Sequence, residues 1–176
     1  MADSWSIDGH KWPNLTQESA VYICRDKQAV HDVFGVNATY LMKDANRQPN
    51  NYTPELSRRA RGIEFWAALK SLGAEGVASI IDRCCSHAPR FADRLRAAGY
   101  TVLNDAVLNQ FVFVGVDEAH TRRALKFIQD SERLWLGPTT WKNQYAMRIS
   151  VSSAATAEDD VEACIEIMTT AFRETK

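Results

Sequence analysis

Two successive stretches of helical periodicity, each ended by a glycine, constrain the fold more than any other feature of the sequence. Apolar residues recur every three or four positions over 54–72 and again over 76–98, which predicts two amphipathic helices. Gly73 and Gly99 follow them, where glycine commonly ends a helix. Each helix must bury its apolar face against a sheet or another helix.

The second half of the chain changes to the alternation typical of strands. Short strands are predicted at 100–103, 109–116, 134–136, 139–141 and 145–152. Helices are predicted from Asp117 to about Arg133 and from Thr156 to Phe172. Because the strand connections have hairpin lengths, we expect an antiparallel sheet covered by helices.

The first part of the chain predicts a strand, a helix and a long loop. The short apolar segment Ala20–Cys24 is typical of a buried strand, and helical periodicity follows over 26–34. Residues 35–54 have no periodicity and are rich in Asn, Gln, Pro, Lys and Asp. Loops of that length in compact domains are usually functional or mobile.

Charge and composition exclude several classes of protein. The 176 residues include 21 basic and 22 acidic side chains, so there is no electrostatic support for binding nucleic acid. The N-terminus lacks the pattern of a signal peptide, and no apolar stretch approaches the ~20 residues that span a bilayer. We therefore expect a cytoplasmic protein that contacts no membrane. The four cysteines show no metal or disulfide spacing and are predicted to be small buried apolar residues.

A His-Lys-Trp sequence near the N-terminus is the strongest candidate for chemistry. A lysine amine attacks an aldehyde only when burial or nearby positive charge lowers its pKa, and His10 and Trp12 supply part of that setting for Lys11. The segment Asp3-Ser-Trp-Ser-Ile-Asp-Gly-His-Lys-Trp-Pro-Asn14 resembles the cofactor-lysine segment of the group II pyridoxal phosphate decarboxylases, which act on aromatic amino acids, histidine and glutamate.

The resemblance extends along essentially the whole chain. Asn37-Ala-Thr-Tyr-Leu41 is similar to the tip of the family's mobile loop, and Glu55–Trp66 is similar to its Leu-Gly/Ser-Arg-Arg helix. Ala146–Ser152 is similar to its arginine-containing strand. These segments occur in the order and spacing of the family.

The resemblance implies the C-terminal part of an α/β, fold-type I enzyme. Residues 1–72 would be the end of the large cofactor-binding domain, with a mobile loop at about 35–54 and a linking helix. Residues 73–176 would be the small C-terminal α+β domain, with a short antiparallel sheet and covering helices. The implied enzyme is a homodimer that decarboxylates an L-amino acid with pyridoxal 5'-phosphate.

The resemblance also implies roles for individual residues near the cofactor. Lys11 would form the internal aldimine, and His10 would lie beside the cofactor. Asp8 occupies a position where some relatives have Asn near the phosphate. Because a carboxylate repels a phosphate, we expect Asp8 to face a hydrogen-bond donor instead. Tyr40 would protonate the quinonoid carbanion left after CO₂ departs, provided that water is excluded.

Two further positions would contact the substrate. Arg148 lies in an apolar strand, where a guanidinium needs a partner. The resemblance implies that it binds a substrate carboxylate, and a structural salt bridge remains the alternative. Ser57 would lie near the substrate pocket, approached from the partner subunit. Arg58 and Arg59 would either pair with acidic groups there or form a solvated helix N-terminus.

Three readings of the function remain open from the sequence. Complete decarboxylases of this family are much longer, and the part that binds the phosphate and the ring precedes the segment matched at Asp3. We therefore expect the chain alone to bind pyridoxal phosphate weakly and to lack useful activity. It is either a segment of an enzyme or a truncated or decayed fragment that packs or dimerises. The third hypothesis is a carbon–carbon lyase that acts on phosphorylated amines. Trp12 and the 37–41 segment disfavour it. Histidine-like, acidic and aromatic substrates all remain compatible.

Overall fold

A computed structural model describes residues 2–36 and 46–176 of the chain. Backbone contacts divide the chain into two compact units, Met1–Ser71 and Leu72–Lys176. The division lies next to the predicted boundary between residues 72 and 73. We describe each unit by itself.

The first unit contains a two-stranded antiparallel sheet and two short helices. Strand β1, Ser4–Asp8, pairs with strand β2, Ala20–Cys24. Helix α1 covers Lys27–Phe34, and a 3-10 helix covers Pro49–Tyr52. The side chain of Asp26 accepts hydrogen bonds from the first backbone N–H groups of α1, as an N-cap residue does.

The predicted strand at Ala20–Cys24 is confirmed, but its predicted burial is wrong. Tyr22 is 56% exposed and Ile23 is 52% exposed. Successive strand residues point to opposite faces, so both faces of β2 are open. In the part of the chain that the structure describes, β2 pairs with β1 alone, with Trp5 opposite Ile23.

Helix α2, Gly62–Ala98, begins later than predicted and is interrupted at Gly73. Gly73 has φ 65° and ψ −179°, which no helical residue adopts, so the predicted break there is confirmed. The predicted start at Pro54 is wrong. The Arg58 guanidinium donates to the carbonyl oxygens of Glu55 and Leu56, at 3.4 and 3.3 Å, so side-chain contacts replace helical ones in this segment.

The second unit is a four-stranded antiparallel sheet with helices. Its elements are β3 Thr101–Val102, β4 Gln110–Val114, α3 Glu118–Asp130, β5 Gly137–Trp141, β6 Gln144–Ser150 and α4 Glu158–Glu174. The strands lie in the order β3-β4-β6-β5 in the sheet. This confirms the predicted antiparallel sheet and helices. The predicted strand at 134–136 is wrong, because that segment is irregular and β5 begins at Gly137.

The core of the second unit draws on its helices and on the sheet. Phe111, Phe113, Met147, Leu95, Ile128, Ile165 and Met168 are each at most 1% exposed. The ring of Tyr100 contacts those of Phe113 and Phe172 edge to face. Among the described residues, no helix is both long and apolar enough to cross a membrane.

His120 fixes the connection between β4 and α3. Its Nδ1 accepts the backbone N–H of Val116 at 2.9 Å, and its Nε2 lies 3.1 Å from the carbonyl oxygen of Phe172 in α4. An acceptor at Nδ1 and a carbonyl facing Nε2 require the neutral tautomer that carries its proton on Nε2. The ring therefore links the end of β4 to the last turn of α4.

Candidate functional site

Lys11 lies in a tight turn directly after β1. The backbone N–H of Gly9 donates to the carbonyl of Ser19, and the N–H of Leu15 donates to the carbonyl of Gly9, both at 2.7 Å. The N–H of Asn14 donates to the carbonyl of Lys11 at 2.9 Å. These bonds hold the backbone on both sides of Lys11, because each closes part of the segment between β1 and β2.

Gly9 is a site residue that the sequence analysis did not single out. A Cβ atom at this position would lie 2.7 Å from the carbonyl oxygen of Ser19 and 2.9 Å from the ring of Phe65. Atoms cannot approach so closely, so a side chain here would push the turn away from both neighbours. The available signal was a glycine directly before the His-Lys pair.

The amine of Lys11 forms an ion pair with Asp8. Lys11 Nζ lies 2.5 Å from Asp8 Oδ2, and the side chains are 61% and 41% exposed. The hydrogen bond from Lys11 and its positive charge lower the pKa of the Asp8 carboxyl below its usual range. The donor that Asp8 faces in this structure is therefore Lys11 itself.

The two neighbours of Lys11 differ in burial. His10 is exposed and forms no hydrogen bond with a described residue. The indole Nε1 of Trp12 is buried and has no acceptor among the residues that the structure covers. A buried donor without an acceptor is costly, so this N–H is available to an acceptor that comes to the site.

Tyr40 and the 37–41 segment lie outside the described residues. Arg148 lies in the second unit, on β6. Its neighbours Met147 and Ile149 are buried, whereas Arg148 is exposed because alternate strand residues point to opposite faces. The apolar neighbours of Arg148 therefore do not bury its guanidinium, and its exposure removes the argument that it needs a partner. Within residues 2–36 and 46–176 it forms no ion pair or hydrogen bond.

The arginines after Ser57 bind within their own unit. Arg59 Nη1 lies 2.6 Å from Glu18 Oε2, and Arg59 Nη2 lies 3.2 Å from Glu64 Oε1. Arg61 Nη1 lies 2.6 Å from Glu55 Oε2, and this contact lowers the pKa of the Glu55 carboxyl. Ser57 itself is exposed and forms no hydrogen bond in the described part of the chain.

A family model and two curated relatives match most of this chain. The model of the pyridoxal-dependent decarboxylase conserved domain matches residues 1–114. The chain is 22% identical over 168 residues to 3,4-dihydroxyphenylacetaldehyde synthase of Aedes aegypti, covering 92% of the chain and 32% of that relative. It is 26% identical over 166 residues to aromatic-L-amino-acid decarboxylase of Drosophila melanogaster, with the same two coverages.

The fold is also that of solved structures. The crystal structure of Oryza sativa TDC with PLP and tryptamine matches with a TM-score of 0.88 at 18% identity, over 98% of this chain and 39% of that chain. This likeness confirms the predicted α/β fold class. The chain spans about a third of the length of the curated relatives that it matches.

Proposed function

This chain belongs to the pyridoxal-dependent decarboxylase family, and we propose that it is the lysine-bearing part of an enzyme that decarboxylates an L-amino acid. The observation that carries the proposal is the turn at Gly9, which presents an accessible amine at Lys11 within the matched segment. Pyridoxal 5'-phosphate, when bound, supplies an aldehyde that condenses with amines and a ring that accepts electrons.

The residues around Lys11 fit the aldehyde end of that cofactor. The side chain of Lys11 is 61% exposed, so a carbonyl compound can reach its amine. Asp8 Oδ2 lies 2.5 Å from this amine in an ion pair, and the pair must open before the amine can attack a carbonyl carbon. The unpaired N–H of Trp12 is a donor for an acceptor atom that arrives beside the turn. We assign His10 to the side of the cofactor.

The remaining assignments concern the substrate and the proton. We assign to Tyr40 the delivery of a proton to the substrate carbon after CO₂ leaves. We assign to Arg148 the binding of a substrate carboxylate, since it is unpaired among the described residues and can form two parallel hydrogen bonds with such a group. Gly137, which is opposite Arg148 in β5, adds no side chain that would crowd it. We place Ser57 near the substrate.

A second candidate function is a packing or dimerisation module without activity of its own. The observation that favours it is the exposure of large apolar side chains in the first unit, including Trp5 at 64% and Trp66 at 65%. Exposed apolar surface of this kind is typical of an interface. The two candidates are compatible if the enzyme is a cytoplasmic homodimer, which we also propose.

Reductive trapping tests the enzymatic proposal. The 176-residue chain is incubated with pyridoxal 5'-phosphate, reduced with borohydride and mapped by mass spectrometry, with Lys11→Ala as the matched variant. We expect Lys11 to be modified at lower cofactor concentration than Lys27 or Lys70, and this modification to be absent in the variant. Equal modification of all three lysines would contradict the proposal.

Trapping and self-association, measured beside CO₂ release, then distinguish the two candidates. Histidine, glutamate and aromatic amino acids are supplied to the chain with the cofactor. We expect trapping at Lys11 without useful turnover, because the chain spans only about a third of its relatives. Selective trapping supports the enzymatic candidate, whereas self-association without selective trapping supports the packing module.

A further inference from the structure

Glu64, in the first turn of α2, binds the segment that follows Lys11. Its Oε2 atom accepts the hydroxyl of Thr16 at 2.5 Å and the hydroxyl of Ser19 at 2.6 Å. Its Oε1 atom accepts Arg59 Nη2 at 3.2 Å. Thr16 and Ser19 lie 48 and 45 positions before Glu64, so this carboxylate joins the start of α2 to the loop between β1 and β2.

Two hydrogen bonds connect Glu64 through Ser19 to Gly9, two residues before Lys11. Ser19 is 1% exposed, and its carbonyl oxygen accepts the backbone N–H of Gly9 at 2.7 Å. Gly9 begins the turn that presents Lys11. Phe65, the neighbour of Glu64 in α2, occupies the space beside Gly9. Displacement of Ser19 would therefore release the backbone from which the Lys11 side chain extends.

We propose that Glu64 is a positioning residue, which clamps the segment 16–19 and thereby fixes the turn that presents Lys11. This proposal rests on the proposed function only in one respect, the reaction of Lys11 with the cofactor aldehyde. The clamp itself is a property of the first unit.

A carboxylate is the group required at this position. Thr16, Ser19 and Arg59 all donate to Glu64, so an amide in its place would direct its N–H groups toward at least one donor. The hydrogen bonds from Ser19 and Thr16, followed by the charge of Arg59, lower the pKa of the Glu64 carboxyl. Its stabilising contribution is therefore present above the usual carboxyl pKa and is lost as the pH falls through the lowered value.

Few other groups around Glu64 could cause a pH dependence of the clamp. Arg59 also contacts Glu18, which binds Nη1, whereas Glu64 binds Nη2. Thr16 and Ser19 are not titratable in the relevant range. Glu55 provides a matched control, because it is an ion-paired glutamate of the same unit that contacts Arg61 rather than the Lys11 turn.

Amide hydrogen exchange tests the clamp without any cofactor. Protection factors of Gly9 and Leu15 are measured across the acidic pH range in the wild-type chain, Glu64→Gln and Glu55→Gln. We expect Glu64→Gln to lower both factors about tenfold and to remove their decline toward low pH, with no change in Glu55→Gln. Thr16→Val keeps the carboxylate, and it serves as the second variant if Glu64→Gln disrupts the first unit. We expect it to lower both protection factors by less than Glu64→Gln does. Unchanged protection in both variants of the clamp would overturn the proposal.

Borohydride trapping at Lys11 forms the second arm of the experiment. We expect Glu64→Gln to lose the selectivity for Lys11 over Lys70 and Glu55→Gln to keep it. If wild-type Lys11 is not trapped while the exchange effect holds, the proposed function fails and the clamp stands. If Lys11 is trapped equally in all variants and the exchange is unchanged, the clamp fails and the proposed function stands.

Discussion

Each of the two units is stabilised internally by a different kind of interaction. In the second unit, the sheet and the helices bury many large apolar side chains, including Phe111, Phe113 and Met147. In the first unit, Phe65 is the one buried apolar side chain among the described residues. The β1–β2 pairing, together with hydrogen bonds and ion pairs around Glu64 and Arg59, carries the long-range contacts there.

The apolar surface shows the same difference. Ten large apolar side chains of the described first unit are exposed: Trp5, Ile7, Tyr22, Ile23, Val33, Val36, Leu56, Ile63, Trp66 and Leu69. The hydrophobic effect contributes roughly 25 cal/mol per Å² of buried apolar area, so these side chains add little to the folding of the chain as described. The second unit buries a core of its own, whereas the first unit leaves these large apolar side chains exposed among the described residues.

Removing a buried ring should have the largest effect on this contrast. Phe113 is 0% exposed, so Phe113→Ala should lower the free energy of unfolding by about 3–5 kcal/mol. Ile23→Ala, at a 52% exposed position in the first unit, should change it by no more than about 0.5 kcal/mol. Urea unfolding followed by circular dichroism measures both values. Equal losses would show that the first unit also has a core.

Cysteine alkylation should reveal the contrast without destabilising the chain. Cys84 is 1% exposed, and burial raises the pKa of its thiol, so little reactive thiolate is present at neutral pH. Cys24 in the first unit is partly exposed. We expect iodoacetamide to modify Cys24 at least about tenfold faster than Cys84, as measured by timed quenching and mass spectrometry. Similar rates would mean that the second unit opens readily.

A smaller effect is expected from Tyr100. Its hydroxyl donates to the Met168 carbonyl at 2.9 Å, so Tyr100→Phe should cost about 1 kcal/mol at neutral pH. Burial raises the pKa of Tyr100 above 10.0, so its contribution is full below that pH and is lost as the pH rises toward the folded-state value. The difference between wild type and variant should therefore shrink above pH 10.0, as measured by urea unfolding at several pH values. A difference that stays constant would contradict this account.

The sequence predicted the second unit better than the first for a physical reason. The alternation around Phe111 and Phe113, and the helical spacing before Ala98, reflect burial within the unit itself, so local patterns match the structure. The apolar segment at Ala20–Cys24 has the same composition as a core strand, yet it is open in the described structure. A pattern of apolar residues shows that burial is favourable and does not identify the surface that provides it.

The candidate site was predicted as a motif but not as a geometry. The order His10-Lys11-Trp12 is visible in the sequence, whereas the Asp8–Lys11 contact depends on the turn. Glu64 lies 45 positions after Ser19, and no local signal joins a helix-start glutamate to a distant hydroxyl. Arg148 shows the opposite error, because its apolar neighbours suggested burial that the alternation of β6 does not give it.

The contact between the His120 ring and the Phe172 carbonyl depends on the number of residues in α4. Successive helical residues are rotated by about 100° around the axis, so inserting or deleting a single residue upstream in α4 would turn the Phe172 carbonyl away from Nε2. Either α4 would have to shift its register, or the contact between His120 and Phe172 after β4 would be lost. Length variation between homologous sequences should accordingly be confined to the loops before α4 and to the residues after its final turn.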